Sequence, residues 1–314
     1  MTGLVISGSK NIFLVRLDDS TILECRLKGK ILKTDEAFYN PLAPGDRVLI
    51  EREAGSDKKA LVVGLIERRN KFTRWNQKGK LSQLLAANLD LVLCVTSPNN
   101  PPFRPRFLDR ALLQADIADI PAVIVLNKCD LEDEDPDVAE RLEDYTRIGY
   151  RILRVSALSG EGLGDLRKLI GGKFSALVGQ SGVGKSSLLN ALEPGLALRI
   201  GELCEKFDRG SHTTTMSQLL DIQSPEGTAY VIDTPGVRRL VPDGIQASEL
   251  AFNLRDFAPL VGRCTYGLSC SHETEPGCKI MEAVAAGVIH EDRYEGYLRI
   301  RDELLGRTPS WEQD

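Results

Sequence analysis

Along the first 66 residues apolar positions come in short runs, at 4–6, 12–17, 21–27, 47–51 and 60–66, divided by the turn-forming groups Asp18-Asp-Ser20, Pro44-Gly-Asp46 and Gly55-Ser-Asp57. The spacing predicts five strands. So many strands in so little chain imply a small closed barrel, most simply an OB-type one. The strand face of such a barrel can take single-stranded nucleic acid or dock a protein, and the pattern does not choose between them.

From Leu89 onward the texture changes. Apolar runs at 89–96, 122–126 and 151–155 alternate with helical periodicity at 107–118, at 137–148 and from Gly162. A further run at 173–178 leads into helical apolar spacing over 187–192, and another strand is expected at 229–232. This alternation predicts a parallel sheet with helices on both faces, where ligands sit at the carboxyl ends of the strands. The acidic run at 132–137 reads as a solvated loop.

The junction after residue 178 reads Gly179-Gln-Ser-Gly-Val-Gly-Lys-Ser-Ser187, which fills the pattern G-x-x-x-x-G-K-[ST] between a strand and a helix. Glycines let successive backbone N–H groups face one point, and the helix start adds its positive end, so a polyphosphate belongs there. Lys185 would reach the β- and γ-phosphates, and the Ser186 hydroxyl would ligate Mg²⁺. Gln180, Ser181, Gly182, Val183, Gly184 and Ser187 complete the cradle.

At the carboxyl edge of an earlier strand stands Asn127-Lys-Cys-Asp130. An Asp130 carboxylate can accept from both N1–H and the exocyclic amine of guanine, an arrangement adenine does not offer. Asn127 would fix the purine edge and the Lys128 stem would cover a ring face, with Cys129 between them. Ser156-Ala-Leu158, after the next strand, would supply the Ala157 N–H to the guanine oxygen. Downstream, Arg209-Gly-Ser-His-Thr-Thr-Thr215 offers three threonine hydroxyls to complete a Mg²⁺ shell and sense the γ-phosphate; chemistry does not rank them. The strand at 229–232 ends in Asp233-Thr-Pro-Gly236, where Asp233 would hold Mg²⁺ through water and the Gly236 N–H would meet the γ-phosphate.

Length, charge and cysteines narrow the setting. A chain of 314 residues is expected to form two or three domains. There is no stretch of eighteen apolar residues, and the N-terminus lacks the layout of a secretion signal, so a cytoplasmic protein is expected. In that reducing setting the seven cysteines would be thiols or metal ligands. A net charge of −5 argues against general polyanion binding. Any RNA contact must be local, and Arg68, Arg69, Lys71, Arg74, Lys78 and Lys80, interleaved with Phe72 and Trp75 and without an acid, form the best candidate. A solvated basic linker fits the same residues.

Near the C-terminus, Cys264-Thr-Tyr-Gly-Leu-Ser-Cys270-Ser-His272-Glu-Thr-Glu-Pro-Gly-Cys278 offers a closed set of three thiolates and one imidazole. That set suits one tetrahedral structural Zn²⁺ with no open position. Cys25, Cys94, Cys129 and Cys204 are scattered and read as core packing, and His290 reads as a surface residue opening a helix.

The guanine motifs precede the phosphate motifs, the reverse of ordinary GTPases, which makes the G domain circularly permuted. With this order, the barrel before it and the Cys₃His module after it, nearly the whole chain resembles the RsgA family of circularly permuted GTPases. The expected architecture is multidomain α/β: an OB-fold β-barrel at 1–68, a basic linker at 69–88, a permuted P-loop GTPase domain at 89–243 and a helical zinc-binding domain at 244–314. The resemblance implies a monomer, without membrane contact, that hydrolyses GTP to GDP in late maturation or checkpoint of the 30S subunit, with barrel and zinc module on 16S rRNA. A signalling GTPase that acts on a protein partner is the alternative. The resemblance also implies that Thr214 is the switch threonine. Val237 follows Asp233-Thr-Pro-Gly236 where many GTPases carry a water-orienting glutamine, and His212 is the nearby imidazole to which the resemblance assigns that task.

Overall fold

The computed structural model describes residues 1–8, 11–29, 38–53, 55–131, 135–196, 217–234 and 239–307. Five strands close the N-terminal barrel: β1 (Thr2–Gly8), β2 (Phe13–Arg16), β3 (Ile22–Leu27), β4 (Arg47–Arg52) and β5 (Lys59–Leu65). Their order is β1-β2-β3-β5-β4, and β4 pairs back onto β1; β3 and β5 run parallel and the other pairs antiparallel. Alternate residues point inward, so Val5, Phe13, Val15, Leu23, Val48, Ile50 and Val62 fill the interior. Each such side chain contributes about 1.5–3 kcal/mol through burial.

The stretch expected as a basic linker is instead a β-hairpin, β6 (Lys71–Asn76) with β7 (Leu81–Ala87). Phe72 is fully buried against the central domain. Four of the six cations are engaged within the chain. Arg68 forks onto Asp46 at 2.7 and 2.9 Å, Arg69 meets Asp90 at 2.7 Å, Arg74 donates to Gln83 at 3.1 Å, and the Lys71 ammonium lies 5.2 Å from the Phe38 ring centre.

The central sheet runs β10 (Arg151–Val155), β9 (Ala122–Asn127), β8 (Leu91–Thr96), β11 (Phe174–Gly179), β13 (Ala229–Asp233), β12 (Gln218–Ile222). The first five are parallel, and β12 is antiparallel to β13. Burial on both faces explains the continuous apolar runs. Val92, Cys94, Ile124 and Val178 pack under α1 (Pro105–Ile117) and α2 (Pro136–Arg147), while Leu91, Leu93, Val125 and Leu177 pack under α3 (Leu163–Ile170) and α4 (Lys185–Leu192). β12 escaped the sequence reading. Its outer edge meets β1 at Ser7 opposite Gln218, and Arg16 pairs with Asp221 at 2.5 Å.

The C-terminal part combines short 3₁₀ turns with α5 (Lys279–Ala285) and α6 (Glu291–Leu305) around Leu250, Phe257, Ile280, Tyr297 and Ile300. His290 caps α6, its Nδ1 accepting from the Asp292 N–H at 3.1 Å. Arg293 is buried between Asp109 of α1 and Asp256, 2.6 Å from each, and fastens this part to the central domain. Among the described residues no helix is long and apolar enough to cross a membrane.

Candidate active site and metal centre

The sheet's carboxyl edge collects motifs that are far apart in sequence. Gly179 to Ser187 curls between β11 and α4, with Gly182 at φ +86° and Gly184 at φ +92°, where a side chain is strained. Gly179 is also hemmed in: an added Cβ would lie 2.5 Å from the Val95 carbonyl oxygen. Val183 anchors the loop in the core, Gln180 is half-buried, and Ser181, Gly182, Ser186 and Ser187 face solvent.

Lys185 folds back over the loop. Its Nζ donates to the carbonyls of Gly179 at 2.7 Å and Gln180 at 3.0 Å, which holds the ammonium over the cradle. Burial pushes its pKa down, partly offset by Asp233; burial pushes the Asp233 carboxyl up, partly offset by Lys185. Asp233 Oδ1 is buried without a hydrogen-bond partner. An unpaired buried carboxylate oxygen beside a phosphate cradle fits the water shell of Mg²⁺, and a polyanion at Lys185 would relieve the lysine's desolvation.

Asn127 joins the two halves of the site. Fully buried at the end of β9, it donates through Nδ2 to the Val183 carbonyl at 2.8 Å, and its Oδ1 accepts from the Ala157 N–H at 3.2 Å. One amide therefore ties the phosphate loop to the Ser156-Ala-Leu turn. Lys128, at φ +65°, adds a second stitch, donating to the Gly182 carbonyl at 2.9 Å and to the Asn100 carbonyl. Ser156 is fully buried and its hydroxyl accepts from the N–H groups of Leu158 and Ser159 at 3.2 and 3.0 Å, shaping the turn. Asp130, the last residue of the same motif, is exposed.

Cys129 departs from the core-packing expectation: it is half-exposed beside Asp130, while Cys25 and Cys94 are buried. Lys128 as a stitch between loops carried no sequence signal beyond its motif, and its acceptor Asn100 carried none. His212, Thr214, Gly236, Val237 and Cys204 lie outside the described residues.

In the C-terminal part, Cys264, Cys270, His272 and Cys278 are all buried with their ligand atoms within 4.8 Å of one another. His272 Nδ1 stands 3.6 Å from Cys264 Sγ and 3.5 Å from Cys278 Sγ, and the two sulfurs are 4.0 Å apart. A tetrahedron with Zn–S near 2.3 Å and Zn–N near 2.0 Å has edges of about 3.8 and 3.5 Å, so the donor set fits one Zn²⁺. Burial holds His272 below its ordinary pKa, as the neutral imidazole a metal needs. Outer groups hold the loop. Tyr294 and Tyr297 donate to the carbonyls of His272 and Ser271 at 2.7 and 3.0 Å, and the Lys279 N–H points at Cys264 Sγ from 3.3 Å. Glu275 accepts from the N–H groups of Ser271, Glu273 and Thr274.

The RsgA GTPase family model matches residues 65–241. The small ribosomal subunit biogenesis GTPase RsgA of Gemmatimonas aurantiaca is 38% identical over 98% of this chain and 98% of its own length. That of Moorella thermoacetica is 39% identical over 93% of this chain and 94% of its own. Of solved structures, YjeQ from Thermotoga maritima superposes with a TM-score of 0.71 at 33% identity, covering 98% of this chain and 99% of its own. YloQ, a circularly permuted GTPase, gives 0.65 at 28% identity, covering 98% and 96%. With the permuted motif order folded into one site, and relatives matching over nearly its full length, the chain belongs to the RsgA GTPase family.

Proposed function

We propose that this protein is a small-ribosomal-subunit-dependent GTPase, hydrolysing GTP to GDP and phosphate in late maturation or checkpoint of the 30S subunit, and contacting 16S rRNA. Members of the family hydrolyse GTP. The observation that carries the reading is Asn127, whose one amide bonds both the phosphate loop and the Ser156-Ala-Leu turn. Such a bridge lets occupancy by base and by phosphates depend on each other.

In this reading Asp130 selects guanine, Lys128 covers its face, and the Ala157 N–H meets its oxygen. The amides from Gln180 to Ser187 hold the phosphates, with Lys185 at their negative charge. Mg²⁺ would be held by Ser186, Thr214 and, through water, Asp233, and when bound it neutralises charge on the β- and γ-phosphates. Gly236 meets the γ-phosphate. His212 orients the attacking water once the subunit is bound, so turnover alone is slow and stimulation reaches roughly 10³ to 10⁵, by analogy with other completed GTPase sites. One Zn²⁺ stiffens the Cys264 to Cys278 loop as a contact module. A ribosomal role like the one the relatives are named for supports a cytoplasmic setting.

GTP turnover with and without purified small subunits tests this directly. The wild type should be strongly stimulated, Lys185→Ala should lose both rates, and His212→Ala should lose the stimulation. Turnover that ignores subunits, or survives Lys185→Ala, refutes the reading. Salt-dependent co-sedimentation with subunits separates RNA contact from action on a protein partner.

A further inference from the structure

The loop that joins β8 to α1 carries Pro98, Pro101 and Pro102 and runs into Pro105 at the head of the helix. Each proline fixes its own φ, which stiffens the loop. The Ser97 hydroxyl closes it by donating to the Pro101 carbonyl at 3.1 Å. Between this loop and the first turns of α2 lies a cleft of about 340 Å³. That volume falls within the span of about 300–1,000 Å³ usual for ligand sites.

The two sides of the cleft differ in chemistry. On the loop side Pro98, Pro102 and Phe103 make an apolar wall, and Phe103 is half-buried against the cluster of Leu126, Val138 and Leu142. On the α2 side Asp135 and Asp137 stand exposed at the rim. Arg141, one turn further along the helix, lines the cleft and is only 3% exposed.

Arg141 is under-used. Its Nη2 donates to Asp109 Oδ2 and to the Tyr145 hydroxyl, both at 3.2 Å, while Nε and Nη1 have no hydrogen-bond partner. Nη1 is 3.7 Å from the Asp144 carboxylate, beyond hydrogen-bond reach. Buried donors left unmatched are costly, so an acceptor oxygen entering the cleft would be stabilised. Asp109 already balances the Arg141 charge, so the net charge that an approaching group meets is that of the acidic rim.

These features select the occupant. A strand of RNA would bring phosphates past Asp135 and Asp137, and the repulsion disfavours it. A polypeptide in extended form satisfies all three surfaces at once. Its main-chain carbonyl accepts from Arg141, the stem of a lysine or arginine lies along Phe103 and the prolines, and the cationic head meets Asp137. The stiff proline wall is formed in advance, which lowers the ordering cost of binding. We propose that the cleft between the β8–α1 loop and α2 docks an extended, basic segment of a partner protein.

The probe is a fluorescein-labelled Lys-Pro repeat peptide of about eight residues, whose prolines keep it extended. Fluorescence anisotropy follows its binding to the full-length protein at ~50 mM salt, where exposed charges are weakly screened. Binding should saturate. Asp137→Lys should weaken it about fivefold, whereas Glu143→Lys, an equal charge change on the same helix but outside the cleft lining, should alter it less than about twofold. Pro102→Ser, which thins the apolar wall, should weaken it as well, and thermal midpoints near that of the wild type show that each variant is folded. Absence of saturable binding up to about 1 mM overturns the proposal. Equal losses in Asp137→Lys and Glu143→Lys also overturn it, since they mean general attraction between charges. Displacement of the peptide by oligouridylate would give the cleft to RNA, and a dimer of the free protein that Asp137→Lys dissolves would give it to a second copy; either result refutes the assignment.

Discussion

Gly184→Ala should cripple nucleotide binding, and the structure sets the scale. Gly184 sits at φ +92°, and holding alanine in left-handed backbone costs about 1–2 kcal/mol. The new Cβ would fall 2.3 Å from Asn127 Nδ2. That amide cannot retreat freely, because it bonds the Val183 carbonyl on one side and the Ala157 N–H on the other. Giving up both bonds costs about 1 kcal/mol each in net terms. The empty loop relieves the combined 3–4 kcal/mol by leaving its cradle shape and must regain that shape on binding, so GDP affinity weakens by about two to three orders of magnitude, read by calorimetry. Gly287→Ala is the control, since Gly287 has φ +71° with nothing near its absent Cβ; it should lower the thermal midpoint slightly and leave GDP affinity alone. GDP binding by Gly184→Ala within about threefold of wild type, at an unchanged midpoint, would refute the argument.

Asp130→Asn should exchange guanine for xanthine, because an amide donates to the oxygen that replaces guanine's exocyclic amine; competition with xanthosine diphosphate reads this, and unchanged guanine preference removes Asp130 from base recognition. Cys278→Ser, or prolonged chelation, should release one equivalent of zinc to a colorimetric dye and lower the thermal midpoint; a metal-free wild type of equal stability contradicts the assignment. Glu275 is held at about 2, first by its Ser271 hydrogen bond and then by the neighbouring amides, from an ordinary value of 4.5. Its folded-state pKa is depressed, so its contribution is full above 4.5 and fades as pH falls towards 2. The stability gap between wild type and Glu275→Gln should narrow over that window in thermal scans, and a gap that widens there refutes the sign.

Much of the fold could be read from residue pattern because both periods were clean. The barrel alternates every second residue around one interior, and the central strands are apolar throughout because helices cover both faces. The β6–β7 hairpin was hidden by its charge. Six cations without an acid look solvated, yet Asp46 and Asp90, the partners of Arg68 and Arg69, arrive only through tertiary folding. β12 was missed because it is short and follows a long polar stretch. The site was legible as motifs, since a phosphate loop and an Asn-Lys-x-Asp turn demand fixed residue types at fixed spacing. Their stitching was not. Nothing local says that Asn127 will bond Val183, or that Gln114 will read the backbone of Asp243, because those bonds join residues 56 and 129 positions apart.

The contact of the barrel with β12 has a bearing on solubility. A sheet that ends in an unpartnered strand offers a row of bare amides and carbonyls to any similar strand in the cell. Here the outermost strand of the central sheet is met by β1, itself already paired on both sides within a closed ring, and Arg16 clasps Asp221 across the seam. The N-terminal barrel thus blunts the border of the nucleotide-binding sheet. Removing it would leave that border bare, and self-association would join lost activity as a consequence.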